Sequence, residues 1–157
     1  MTAPVAVGID PGKSGGIALV YADGSAEAHK MPETERDLLD LAQELAERWG
    51  DEGLSGARDL GAPVAWIEVV HAMPKQGVSS CFTFGRGYGS VRMAFLAMGF
   101  ALNEVQPAKW QGALGCRSGG QKNVTKAAAQ RLFPGVKKIC HATADALLIA
   151  EYGRRQR

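Results

Sequence analysis

Residues 4–21, PVAVGIDPGKSGGIALVY, place two apolar runs on either side of a glycine-rich turn, and this arrangement decides what the rest of the chain can build. Pro4 to Asp10 and Ile17 to Tyr21 read as strands, since short apolar runs bounded by Gly and Pro fit strands better than helices. The intervening Pro11-Gly12-Lys13-Ser14-Gly15-Gly16 folds the second run back on the first. Asp23-Gly24 turns the chain again. Ser25 to Met31 alternates weakly, as an edge strand would, so the chain opens as an antiparallel meander that Pro32 closes.

Outward from the meander the period changes. Leu38, Leu41, Leu45 and Trp49 recur at helical spacing between charges, which predicts an amphipathic helix over Glu35 to Trp49 facing the sheet. Residues 50–63 are rich in Gly and charge and read as a loop. Val64 to Val70 is an almost wholly apolar strand with one carboxylate inside it, Glu68. Ser79 to Met98 reads as a helix through the stripe Val91, Phe95 and Met98, with its glycine-rich half (Gly85, Gly87, Gly89) expected to be irregular or closely approached. Ala101 to Val105 is a short strand. Pro107 to Leu114, Lys122 to Phe133 and Ala142 to Tyr152 are helices, the first opened by proline. The sum is a mixed-sheet α/β architecture, three antiparallel N-terminal strands and two further strands flanked by helices.

With 157 residues, 46% of them apolar, the chain fits one domain over residues 1–157. No charged-then-apolar leader opens it, and no apolar run nears the roughly 20 residues of a membrane span, so a soluble, cytoplasmic protein is expected. Three widely spaced cysteines, Cys81, Cys116 and Cys140, match neither a disulfide framework nor paired metal-ligand spacing. The net charge of +2 hides an asymmetry: Met1 to Ala72 holds 5 Lys and Arg against 13 Asp and Glu, Met73 to Arg157 13 against 3. A basic C-terminal half suits a polyanion such as a phosphate backbone; a merely solvated basic surface is the plainer alternative.

Two carboxylates sit where stability alone would not put them. Asp10 ends one apolar strand and Glu68 lies among Trp66, Ile67, Val69 and Val70, yet an unpaired buried carboxylate costs several kcal/mol. A bound cation resolves the conflict, because oxygen ligands on rigid strands suit Mg²⁺, which keeps waters and phosphate oxygens in its other positions. Two such ions would clamp the attacking and leaving oxygens of a phosphodiester. Asp145, among small and apolar residues, should point toward the sheet as well. His141, four residues earlier, shares its helix face and could ligate a metal or carry a proton. Blander roles exist for three of the four: a turn cap for Asp10, a lysine pair for Asp145, a surface position for His141.

Gly8-Ile9-Asp10-Pro11-Gly12 running into Ser14-Gly15-Gly16-Ile17-Ala18, the strand of Glu68 and the helix of Ala144-Asp145-Ala146-Leu147 together resemble the RuvC-type Holliday junction resolvases. The resemblance spans essentially the whole chain. It extends to a block similar to the compact phage and prophage versions: Glu68-Val69-Val70-His71-Ala72-Met73-Pro74, Gln76-Gly77-Val78-Ser79-Ser80, Phe82, Phe84-Gly85-Arg86 and Gly89. It implies a ribonuclease H-like fold, a homodimer, Mg²⁺ or Mn²⁺ with two ions per active site, and paired nicks in branched DNA such as four-way junctions. Asp10, Glu68 and Asp145 match the family's metal-binding acids. The family commonly places its fourth ligand three residues before the last acid, where this chain has Ala142, and His141 lies one residue further upstream. Lys109 and Lys122 match basic phosphate contacts, Phe82 an aromatic able to stack on an unpaired base, and Lys75, Ser79, Ser80 and Arg86 complete the DNA-binding set that the resemblance implies. Dimer or core packing is the alternative for Phe82 and Phe84.

Two other classes compete. The turn over residues 11–16 also looks like the phosphate-cradling hairpin of actin-like kinases and ATPases, but enclosing a nucleotide takes two copies of such a fold. A non-catalytic module for branched DNA would explain the basic half without explaining Glu68. Symmetric nicking needs two sites, so a C2 dimer is expected through Val91, Phe95 and Met98.

Overall fold

A computed structural model describes residues 2–50 and 61–157. Five strands, β1 (Pro4–Asp10), β2 (Gly16–Tyr21), β3 (Ala26–Lys30), β4 (Val64–Glu68) and β5 (Ala101–Val105), form one sheet in the order β3-β2-β1-β4-β5. The first three are antiparallel neighbours, whereas β4 runs parallel to β1 and β5 parallel to β4. Helices α1 (Glu35–Glu47) and α2 (Val78–Ala97) cover one face. On the other lies α5 (His141–Arg154), with α3 (Pro107–Ala113) and α4 (Lys122–Leu132) packed on it.

Side chains alternate across a strand, so each strand serves both layers. Val7, Ile9, Ile17, Leu19, Ala65 and Ile67 enter the core beneath α1 and α2, with Trp49 and Phe95. Ala18, Val20 and Val105 enter the core beneath α5, with Trp110, Leu147 and Leu148. Gly8 and Gly16 lie on the α5 side, and their bareness is what brings that helix close: a Cβ on Gly8 would stand 2.2 Å from the Ala146 carbonyl oxygen and 2.3 Å from the Ala150 nitrogen, and one on Gly16 2.4 Å from the Ala142 carbonyl oxygen.

The meander, the first helix and the mixed five-stranded sheet match the sequence expectation; the expected loop over 50–63 falls largely outside the described residues. Four details differ. Strand β4 ends at Glu68, so that residue terminates its strand instead of sitting inside it. Helix α5 begins at His141 and runs on to Arg154. Helix α2 stays regular through its glycines, and nothing outside the helix comes within 4 Å of a Cβ added at Gly85, Gly87 or Gly89. Each glycine costs a helix about 1 kcal/mol relative to alanine, less than breaking the ladder and nucleating it again. Finally, Val91 and Phe95 are buried in the chain's own core and Met98 is half-buried against it, so that stripe is spent within the chain and offers no face to a second copy. Among the described residues no helix is long and apolar enough to cross a membrane.

Replacing Gly8 with Ala should therefore cost more than about 3 kcal/mol or prevent folding, since backbone on both sides must retreat. Gly87→Ala, in open space on a helix, should gain up to about 1 kcal/mol. Urea denaturation of the two variants checks the pair; a tolerated Gly8→Ala would mean that α5 does not press on β1 as described.

Candidate active site

Asp10 is the last residue of β1 and Glu68 the last of β4, and these strands are parallel neighbours paired at Ile9 and Ile67. Period-two alternation puts both carboxylates on the α5 side, beyond Gly8 and Trp66. Asp145 lies in the second turn of α5, which the bare glycines let down onto β1 and β2. The site thus forms at the C-terminal ends of parallel strands, where open α/β sheets present their ligand crevice.

The three acids sense one another. Burial, then the charges of Asp145 and Glu68, push the Asp10 carboxyl up to about 8, against the pull of Lys122. Burial raises Glu68 as well; its hydrogen bond from Trp110 opposes this and the Asp145 charge adds to it. Asp145 is raised by burial, opposed by the Thr125 hydroxyl, Lys122 and His141. One of its oxygens, Oδ1, is buried without a hydrogen-bond partner. A buried acceptor left unpaired costs roughly 1–3 kcal/mol, so this atom suits a partner from outside the chain.

The donor set is all oxygen, which suits a hard divalent cation. Among the described residues no three His, Cys, Asp or Glu side chains stand close enough to enclose an ion by themselves. An ion here would keep water or phosphate oxygens in its remaining positions, as Mg²⁺ commonly does.

The other expected residues divide by position. His141 opens α5 and is exposed; it shares a face with Asp145 and lowers that acid's pKa through its charge, with no hydrogen bond to any of the three acids. Lys122 opens α4 and is exposed, with its charge felt at both Asp10 and Asp145, closer to the chemistry than a phosphate contact alone required. Lys109 is exposed on α3. Lys75 is exposed in the left-handed region at φ 67°, within the turn that leads to α2. Ser79 and Ser80 are exposed in the first turn of α2, followed by Phe82 with 73% of its surface open. Core packing is thereby excluded for Phe82. Phe84 is half-buried, and its ring edge lies 3.3 Å from where a Gly12 Cβ would be. Arg86 faces Glu35 at 3.7 Å in a solvent-exposed pair of little strength.

Two residues were missed from the sequence. Trp110 donates its indole N–H to Glu68 Oε2 at 2.7 Å, and Thr125 is buried beside Asp145. A tryptophan in a short polar helix hints at a bond only through its need for an acceptor when buried; Thr125 carries no such signal.

The raised Asp10 carboxyl has a measurable consequence in metal-free protein. Between its ordinary 3.8 and about 8 the folded chain holds the proton that the unfolded chain has released, so stability falls as pH rises across that window. Asp10→Asn should raise the thermal midpoint in EDTA at pH 8, with the gain shrinking to nothing near pH 4. A pH-independent difference would show that Asp10 is not the strained acid.

No family model matches this chain. A stretch of 98 residues is 33% identical to the chloroplastic Holliday junction resolvase MOC1 of Chlamydomonas reinhardtii, covering 57% of this chain and 11% of that protein. The chain therefore matches only about a tenth of that relative's length. Among solved structures, Thermus thermophilus RuvC superposes with a TM-score of 0.60 at 18% identity over 97% of this chain and 96% of that one. T. thermophilus RuvC in complex with Holliday junction substrate gives 0.60 at 20% identity, over 97% and 95%. The chain has the RuvC fold, of the ribonuclease H-like class.

Proposed function

We propose that this chain is a metal-dependent endodeoxyribonuclease of the RuvC type that cuts branched DNA, four-way junctions above all, and that residues 1–157 act as one nuclease domain. The observation that carries the reading is the convergence of Asp10, Glu68 and Asp145 at the ends of β1 and β4 under α5, with one carboxyl pushed up to about 8 and one buried oxygen unpartnered. The likeness to junction resolvases in fold, and over part of the sequence, supports it.

Asp10, Glu68 and Asp145 would hold Mg²⁺ or Mn²⁺, two ions per site, and the bound metal would supply charge to polarise the phosphodiester and to lower the pKa of the attacking water. His141, exposed at the rim, accepts the proton of that water or completes the ligand set. Lys122 steadies phosphate next to the acids, and Lys109, Lys75, Ser79 and Ser80 follow the backbone outward. Arg86 joins them on releasing Glu35. Phe82 stacks on a base left unpaired at the branch, worth about 1–3 kcal/mol, enough to favour an opened junction over closed duplex. An actin-like nucleotide site needs two copies of this fold, and the described residues build one sheet.

Paired nicks require two sites. The stripe expected from sequence is taken up by the chain's own core, whereas Met93 and Leu96 are 63% and 45% exposed on α2, on the helix face that also carries Gly89 and Phe82. We place the C2 contact there, with Phe82 left for DNA at the far end.

Purified protein with Mg²⁺ or Mn²⁺ should nick a four-way junction, and Asp10→Asn should reduce nicking to background while retaining binding. Wild-type binding without cutting in either metal would favour a non-catalytic module. For the dimer, Met93→Glu with Leu96→Glu should sediment as monomer at micromolar concentration and separate the two nicks in time. Unaltered sedimentation of that variant would place the contact elsewhere.

A further inference from the structure

Trp110 Nε1 donates to Glu68 Oε2 at 2.7 Å, a bond that spans 42 positions of sequence. Trp110 is fully buried in the core beneath α5 and belongs to α3, next to the exposed Lys109. The fold does not force every tryptophan to find an acceptor, for the Trp49 indole N–H is buried with no partner among the described residues. Core packing alone therefore does not account for an N–H aimed at this carboxylate.

We infer that Trp110 is a positioning residue for Glu68. The bond falls on one oxygen, and among the described residues no other side-chain bond to Glu68 is seen, so Oε1 is left free for a cation. Hydrogen bonds to one oxygen of a ligating carboxylate fix its orientation, and losing such a partner typically weakens metal affinity about 10–100-fold. The brace comes from the helix that also carries Lys109, so the carboxylate is tied to the element that meets the DNA backbone in the proposal above.

This inference rests on reading the three acids as a cation site, and the test separates the two. In DNA-free protein, calorimetry measures Mn²⁺ affinity, and Trp110→Phe, which keeps an aromatic ring and removes the donor, should lower it at least about tenfold. Junction affinity in EDTA should be unchanged. A second measurement does not depend on that variant folding. Trp49→Phe and Trp66→Phe identify the indole ¹H–¹⁵N resonances of the three tryptophans by elimination, and Mg²⁺ titration of the wild type should move that of Trp110 and leave that of Trp49 in place. Metal binding seen by calorimetry with a motionless Trp110 resonance, or with wild-type affinity in Trp110→Phe, would overturn the inference alone. Absence of any metal binding in the wild type would overturn it together with the cation-site reading.

Discussion

The approach of α5 to the sheet is the constraint on which the rest of the molecule depends. At Gly8 and Gly16 the helix backbone occupies space that any side chain would fill, and the carbonyl oxygens of Ala146 and Ala142 mark the contact. The small residues Ala142, Ala144, Ala146 and Ala150 give α5 the matching flatness on its own side. A helix seated this low brings Asp145 within electrostatic reach of the ends of β1 and β4; with ordinary side chains at positions 8 and 16 it would stand off. The same contact buries Leu147, Leu148 and Ile149 almost without remainder in the core on that face.

Holding three carboxylates together opposes folding, and the stability must come from elsewhere. It comes from the two apolar layers, in which Trp49, Phe95, Trp110 and Leu147 are fully buried. Each such side chain contributes roughly 1.5–3 kcal/mol by leaving water. The arrangement is a site strained electrostatically inside a fold that is secure sterically, with the strain relieved by a positive charge. Lys122 supplies part of that relief from the chain itself, at the first residue of α4.

Most of the fold was legible because hydrophobic period and turn residues speak directly: the meander announces itself in Pro4 to Lys30, and β4 in its apolar run. The acids were legible because a carboxylate in such a run lacks a reason of its own. What stayed hidden depends on tertiary contact. Val91 and Phe95 look the same in sequence whether they meet a second copy or the chain's own α1 and sheet, and the structure gives them to the core. The α2 glycines suggested irregularity, yet a helix flanked by good ladder on both sides continues through them. Trp110 and Glu68 lie far apart in the chain, so their bond has no local signature.

Glu151 shows that the conflict at the site is not an accident of packing. It lies on the same helix as Asp145 and is more deeply buried, yet Arg154 and Arg155 meet its carboxylate at 2.7 and 2.8 Å and hold its pKa below the usual value. Two turns of α5 thus contain two solutions for a buried acid. At Glu151 the chain supplies the compensating charge from its own next turn, as a structural ion pair must if it is not to destabilise the fold. At Asp145 it supplies a hydroxyl and a lysine charge, leaves Oδ1 unpartnered, and keeps Asp10 and Glu68 within electrostatic reach. A chain able to neutralise one buried carboxylate so completely has left the other three short of positive charge, and that deficit is what a divalent cation and a phosphate backbone arriving with it would fill.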